Sequence, residues 1–413
     1  ERISFEAVVG TETGQVVVAP GVLQRTWTKG NRRYFHYATD APIRNEYYFF
    51  SGNYAVHEGT WKNVSAGSGK DISIQIYYDP GQTLNLERMM KSVQASLEYY
   101  SKQFGAYPHR TIRFVSYPGH EFGNHASPIN ITAGEAFFLM NPDKDKRKFD
   151  LVSAVVAHEV AHQWWGNQVD PAHAEGAGLL SESLAWYSAM GVLEDKYGSK
   201  YLKRLLSFLR EEYENPKTHA AVPLLQANDW YQNYRKGPFA LYAMSQYIGR
   251  DRVNGALRQL LAKHGSGKFP LPNSLDLYHE LKVATPDSLQ PLLHDLFKKN
   301  TFWELSTEQA TAKQIKPDKW QVTLHVQARK FVVDSVGVET KLPMSDWVEI
   351  GVFGPAEEGQ ESSKLLYKQK HLINSAKQTI TVTVPGKPVR AGIDPNNLFI
   401  DWEIKDNLKD VKL

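Results

Sequence analysis

The sequence predicts an α+β protein in three parts, and three changes of texture carry that expectation. Residues 1–80 are short β-branched and aromatic runs cut by Gly, Pro and Asn. Residues 81–304 switch to apolar residues at helical spacing. Residues 305–413 return to period-two alternation and read as a small β-sandwich over 305–405. The expected domains are therefore an N-terminal β domain over 1–80, a mostly helical domain over 81–304 and a C-terminal β-sandwich domain over 305–413.

In the first part the expected strands are Ile3–Val9, Gln15–Val18, Tyr34–Tyr37, Asn45–Phe50 and Ile72–Tyr78. The segment GSGKD at 67–71 lacks the phosphate-loop spacing and reads as a polar turn. Leu86, Met89, Met90, Val93, Leu97 and Tyr100 then recur on one helical face, giving a helix that ends before Gly105. Strands at Thr111–Ser116 and Ile129–Thr132 flank a loop over 117–127. Helical signals continue through Asp150–Asn167, Leu179–Tyr197, Lys200–Tyr213, Gly237–Ile248, Asp251–His264 and Leu275–Leu281. In the last part Trp320–Val326, Phe331–Val338, Trp347–Phe353, Thr379–Val384 and Ala391–Ile393 alternate as strands, with a hairpin loop at 354–364.

A chain of 413 residues with 42% apolar and 12% aromatic residues has material for two or three well-buried cores. Lys and Arg exceed Asp and Glu only 48 to 45, so no global field favours nucleic acid or an anionic membrane. The run KDKRK at 144–148 is mixed in sign and reads as a solvated loop. The absence of cysteine removes thiolate ligands, a Cys nucleophile and disulfides together. No apolar run reaches the length of a membrane-spanning helix. The opening ERISFEAVV has charge and then a strand pattern rather than a signal peptide, so the chain is expected to be a fragment or excised domain.

The chemistry concentrates in DLVSAVVAHEVAHQWWGN, Asp150 to Asn167, which reads as one amphipathic helix capped by Asp150 and stopped by Gly166. His158, Glu159 and His162 make an H-E-x-x-H motif. Four residues of helix turn about 400° and rise about 6 Å, so both imidazoles point the same way. That spacing suits one tetrahedral Zn²⁺, with Glu159 placed to work on a metal-bound water without being a ligand. A third protein ligand is needed. A layout with a third His six residues after the second and a Gly between is excluded, because those positions hold Gln168 and Trp165. The other layout takes a Glu from the next helix, and Glu182 is the twentieth residue after His162. Glu175 and His173, in a Gly-rich loop, are the rival ligands. Trp164, Trp165, Trp186 and Trp230 either line a cleft or fill the core.

HEVAHQWWGNQV, SESLAWYS and YRKGPFALY at 234–242 together resemble the aminopeptidase N-like family of gluzincin zinc metallopeptidases. The resemblance implies a thermolysin-like catalytic domain behind a partial N-terminal β-saddle, one Zn²⁺ per chain and a peptide substrate. It also implies that Tyr234, in the family's Tyr-x-Lys-Gly motif, donates to the oxyanion. GAGLLSESLAWYSAM at 176–190, TPDSLQPLLHDLF at 285–297 and AGIDPNNLFIDW at 391–402 resemble one branch, the peptidase-like domains fused to bacterial ABC transporter permeases. That branch implies an extracytoplasmic (periplasmic) domain tethered to membrane spans; the alternative is a soluble cytoplasmic protein.

Two departures stand out. Residues 163–181 put 19 residues between His162 and Glu182, one more than most of the family has. The family's Gly-Ala-Met-Glu-Asn segment, whose Glu binds the substrate α-amine, falls on GNHAS, so Ala126 replaces that Glu. Glu121 and Glu135 are candidate substitutes, and His125 either faces the cleft or is structural. A carboxylate against a buried ammonium fixes where a chain is cut, so exo- or endopeptidase action stays open. Three functions compete: a zinc peptidase, favoured by Glu159 and Tyr234; a peptide-binding or sensing module of a transporter, favoured by Ala126; and a metallohydrolase of non-peptide substrates.

Overall fold

The computed structural model describes residues 2–62, 71–119, 123–144, 149–211, 222–356 and 363–413. Residues 67–70 of GSGKD, 145–148 of KDKRK, 357–362 of the expected hairpin loop, and Glu121 lie outside them. The α+β expectation holds, and the chain folds as two compact units. One comprises Glu1–Glu214, Leu225–Leu241 and Gly249–Thr285; the other comprises Asn215–Leu224, Tyr242–Ile248 and Pro286–Leu413.

In the first unit Glu6–Glu12, Arg32–Ala38 and Val22–Lys29 form an antiparallel sheet in that order, around Phe5, Val17, Phe35, Tyr37 and Ile43. A five-stranded mixed sheet follows, ordered His125–Ala126, Asn130–Gly134, Thr111–Tyr117, Ile72–Tyr78, Ala55–Trp61. Thr111–Tyr117 runs parallel to both neighbours, while the two outermost strands are antiparallel to theirs. Val22–Lys29 and Ala55–Trp61 were not expected from the sequence, because VLQRTWTK is mostly polar and AVHEGTW has a Gly and only three polar residues that do not alternate strictly with apolar ones. Of Asn45–Phe50 only Phe50 is strand, opening Phe50–Gly52.

The helix Leu86–Gln103 packs on Leu151–Ala161, with Ser92 Oγ donating to Ser153 O at 2.9 Å and Tyr100 Oη to Ala157 O at 2.8 Å. Asp150 caps the second helix, accepting from Ser153 N at 2.9 Å. That helix departs from expectation twice. It is buried nearly all round rather than amphipathic, and it stops at Ala161 instead of running to Asn167. Gln163 N and Trp164 N bond three residues back, and Gly166 takes φ 109°, a value only glycine adopts freely. Trp164 and Trp165 are fully buried, 5.3 Å from Tyr100 and 5.0 Å from Phe104 between ring centres. These two tryptophans are core.

The second unit holds two four-stranded antiparallel sheets. Lys319–Val333 lies between Thr301–Lys316 and Lys377–Pro385 and also pairs with Glu339–Leu342; the other sheet is ordered Ser363–Ile373, Asp346–Ala356, Arg390–Ile393, Leu408–Asp410. Ile380, Val382 and Val384 alternate inward with exposed threonines between them, the pattern of a one-sided strand. The expected strand Phe331–Val338 ends at Val333, where Asp334 Oδ1 accepts from Val336 N and Val338 N and turns the chain.

Candidate active site

His158 sits in the last turn of Leu151–Ala161 and His162 is the residue that ends it. Their Nε2 atoms are 3.1 Å apart. Glu182 comes from a π-helical turn, Leu179–Ser183, that opens the helix Leu184–Tyr197. Its Oε2 lies 3.3 Å from each histidine Nε2. A π turn closes over one more residue than an α turn. With 19 residues between His162 and Glu182, the carboxylate still reaches both imidazoles.

The donor set fits zinc. Ligands about 2.05 Å from a tetrahedral ion stand about 3.3 Å from one another, close to the three separations found here. His162 Nδ1 lies 3.0 Å from Trp165 O, which fixes the tautomer that leaves Nε2 as an electron pair. Oε2 of Glu182 is buried with no hydrogen-bond partner among the described residues. Three electron-rich atoms in so small a volume call for a cation.

The electrostatics point the same way. Burial lowers the His158 pKa to about 4. Burial also opposes a charge on His162, but the Glu182 and Glu159 carboxylates outweigh it and raise its pKa to about 9. Both rings touch the same carboxylate, so their proton affinities are coupled through Glu182. Glu182 is penalised by burial, yet the histidines hold it well below the usual carboxylate range. Glu159, buried and outside this triad, is pushed up to about 7 by burial, partly offset by His162. A carboxyl so placed takes and returns a proton near neutrality.

Tyr234 lies on a second π-helical turn, Gln232–Lys236, with its ring 6.1 Å from that of His158. Burial, then the charge of Glu182 and a hydrogen bond to it, push its pKa up, so the phenol keeps its proton and remains a donor. The two π turns touch. Ser183 Oγ donates to Asn233 O at 2.7 Å, and a Cβ on Gly237 would fall 2.8 Å from Ser183 Cβ and still nearer its Oγ. At Gly237 the Ser183 side chain occupies the space a Cβ would need.

These residues line a cleft of about 580 Å³ together with Arg44, Gly123–Ala126, Asn167, Trp186 and Trp230. Trp186 and Trp230 thus face the cleft. The rivals do not: Glu175 is exposed and accepts from Gln226 at 3.2 Å, and His173 is exposed away from the pair. Glu135 begins the short helix Glu135–Leu139 and is not part of the lining. His125 and Ala126 do belong to it, on the edge strand of the five-stranded sheet.

Sequence reasoning passed over what fastens that edge. Asn167 Nδ2 donates to Ala126 O at 2.9 Å and to His162 O at 3.0 Å. Gln163 donates to Ser127 O at 3.0 Å and accepts from Ile129 N at 2.9 Å. The signal was two polar side chains inside the otherwise buried QWWGN. Arg44 was missed too, and nothing near it in the sequence marks it as a cleft residue.

The family model described as peptidase family M1 domain matches residues 88–296. Aminopeptidase 2 of Candida albicans is 25% identical over 245 residues, 55% of this chain and 26% of that protein. The chain spans about a quarter to two fifths of the length of the curated relatives it matches. A crystal structure of a variant M1 zinc metallopeptidase from Deinococcus radiodurans, bound to a Tyr-Ser-Ala substrate, aligns with TM-score 0.55 at 16% identity, over 72% of this chain and 64% of that one. Legionella pneumophila aminopeptidase A in complex with aspartic acid aligns with TM-score 0.64 at 15% identity, over 95% of this chain and 43% of that one. At such identities these two likenesses speak to fold, while the family model covers half of the sequence: the chain belongs to peptidase family M1.

Proposed function

We propose that this chain is a zinc peptidase that hydrolyses peptide bonds, aminopeptidase-like but with Ala126 in place of the usual amine-binding Glu, so that exo- or endopeptidase action is decided by experiment. The observation that carries the proposal is the convergence of His158 Nε2, His162 Nε2 and Glu182 Oε2 beside the buried carboxyl of Glu159, in an open cleft. The zinc named for the Deinococcus relative supports the choice of metal. Bound zinc would supply a Lewis acid that brings the pKa of its water towards 7. Glu159 accepts the water's proton and delivers it to the leaving amine. Tyr234 donates its phenolic hydrogen to the oxyanion that develops on the scissile carbonyl. The Trp186 ring packs against His158 at a 30° tilt, 4.5 Å between ring centres, and keeps that imidazole oriented.

The experiment is Glu159→Gln. Zinc content should stay at the parent level while turnover of a peptide drops about 10² to 10⁴-fold, the usual worth of a general base. Unchanged hydrolysis in that variant would falsify the assignment. Free and N-acetylated peptides assayed side by side test the amine requirement: cleavage of the free form alone restores strict aminopeptidase action.

A second reading, a peptide-binding or sensing domain of a transporter, draws on Ala126, which puts a methyl group where the family resemblance expects a carboxylate. Zinc retention with no turnover of any peptide would favour it. The likeness to permease-fused domains supports placing either version on the extracytoplasmic face of a bacterial membrane, tethered to spans elsewhere. Among the described residues no helix is long and apolar enough to cross a membrane. Cell fractionation of the native gene product tests the placement, and recovery in the cytosol overturns it.

A further inference from the structure

The wall of the cleft around Ala126 presents a guanidinium and an imidazole where an ammonium-binding wall would present a carboxylate. Among the described lining residues the only carboxylates are Glu159 and Glu182, and both are committed to the metal chemistry. Arg44 and His125 line the same cleft. Their counter-ions do not. Glu46 binds Arg44 Nη1 at 3.1 Å and His125 Nε2 at 2.9 Å, and Asp170 meets Arg44 Nε at 3.3 Å. Glu46 also accepts from Tyr48 Oη at 3.1 Å, so three donors already hold it and it is not available to a substrate ammonium.

The acids therefore stand behind the cations and fix their direction. Two rotamer-rich side chains are held with their charged ends in the lining before anything binds, which reduces the ordering cost of recognition. A guanidinium carries five donors, and with Nη1 on Glu46 and Nε on Asp170 the Arg44 fork still has its Nη2 donors beyond those two pairs. The His125 ring is half exposed and packs edge-on against Tyr48, 5.7 Å between centres, so it is steered, and its hydrogen bond to Glu46 raises its pKa and favours the protonated form.

We infer that Arg44 and His125 form a subsite for a substrate carboxylate, on the side of the cleft where Ala126 has replaced the amine-binding Glu. The preferred ligand class is a peptide whose N-terminal end carries a negative group instead of an ammonium. This inference rests on the peptidase reading for its substrate class but not for its measurement.

The test uses one peptide sequence, amidated at the C-terminus, with a free amine, an acetyl group or a succinyl group at the N-terminus. Dissociation constants are measured calorimetrically on the zinc-loaded Glu159→Gln variant, which holds the peptide without cutting it. The succinyl peptide should bind about tenfold more tightly than the acetyl peptide, with the free amine weakest, and added salt should narrow the gap. Placing Arg44→Gln or His125→Gln in the same background should shrink the succinyl-to-acetyl ratio to below about threefold, and Arg44→Lys should restore part of it. Zinc content reports whether each variant is folded. Tightest binding by the free amine overturns the inference, as does a succinyl preference that survives both substitutions. If the parent protein cuts none of the three peptides while the succinyl preference stands, the peptidase reading fails alone. If it cuts all three and no preference exists, this inference fails alone.

Discussion

The helix Leu151–Ala161 and the two π-helical turns, Leu179–Ser183 and Gln232–Lys236, deliver side chains to one site by different periodicities. On the helix, spacing is destiny: positions four apart share a face, so His158 and His162 meet wherever the helix goes. On the π turns spacing predicts nothing by itself, because the extra residue moves every later side chain about 100° around the axis. The two turns that carry Glu182 and Tyr234 do touch one another, through Ser183, Asn233 and Gly237. The regular element supplies the ligand pair, and the irregular pair closes the site around it.

The largest expected effect that separates the two regions is on turnover. Tyr234→Phe removes only a hydroxyl from a turn that carries no imidazole. It should leave zinc content unchanged and lower kcat about 10² to 10³-fold, the usual loss for one oxyanion donor. A fully active Tyr234→Phe protein would confine the chemistry to the helix and its metal.

The next effect is on stability, and here the regions should move in opposite senses with pH. Glu159 on the helix has its pKa raised from 4.5 to about 7 in the fold. The folded state thus binds that proton more tightly than the unfolded chain does, and the stability gained below pH 4.5 is lost as pH rises through about 7. Glu182 on the π turn is held below its ordinary value, so its contribution is present above pH 4.5 and lost as pH falls. In metal-stripped protein, Glu159→Gln should raise Tm at pH 8 and change it little at pH 5, by up to a few kcal/mol in stability. Glu182→Gln should lower Tm at pH 8 and matter less at low pH. Parallel pH curves for the two variants would erase the distinction.

The difference between helix and turn also explains what the sequence disclosed. His158, Glu159 and His162 were legible because the helical period is fixed. Glu182 was reached by counting twenty residues from His162, and the structure brings its carboxylate beside both imidazoles. Tyr234 came only through the resemblance, since a tyrosine in YQNYRKG has no period to betray it. Arg44, far upstream in the strand Ile43–Arg44, was invisible because a sheet brings it to the cleft from a distance no local pattern spans. The overlooked strands Thr301–Lys316 and Ser363–Ile373 failed for another reason. Each exposes many charged and polar residues, so the alternation that marks a strand is diluted on its wet face.

Gly237→Ala gives a smaller effect that tests the contact between the turns. The added methyl is compatible with the helical backbone there and conflicts only with Ser183 and, at 3.1 Å, Gln232 O. Overpacking of this kind costs about 1–3 kcal/mol, measured as a shift in denaturant midpoint at unchanged slope. Activity should fall further than stability suggests, because the strain falls on the turn that holds Tyr234.

Ser183→Ala is the mildest lesion and the sharpest test of the comparison. It deletes one hydroxyl and with it the hydrogen bond from Ser183 Oγ to Asn233 O. A lost hydrogen bond of this type costs about 1 kcal/mol of stability. If the two π turns are independent, catalysis should not change at all, since Ser183 touches neither the metal ligands' donor atoms nor the phenol. If Ser183 sets the distance between Glu182 and Tyr234, kcat should fall about tenfold, with KM and zinc content near the parent values, because a donor displaced by a fraction of an ångström loses transition-state stabilisation before it loses binding. Single-turnover kinetics beside zinc analysis distinguish the two cases, and an unchanged kcat means the phenol is positioned by its own turn rather than by the neighbour that carries the third ligand.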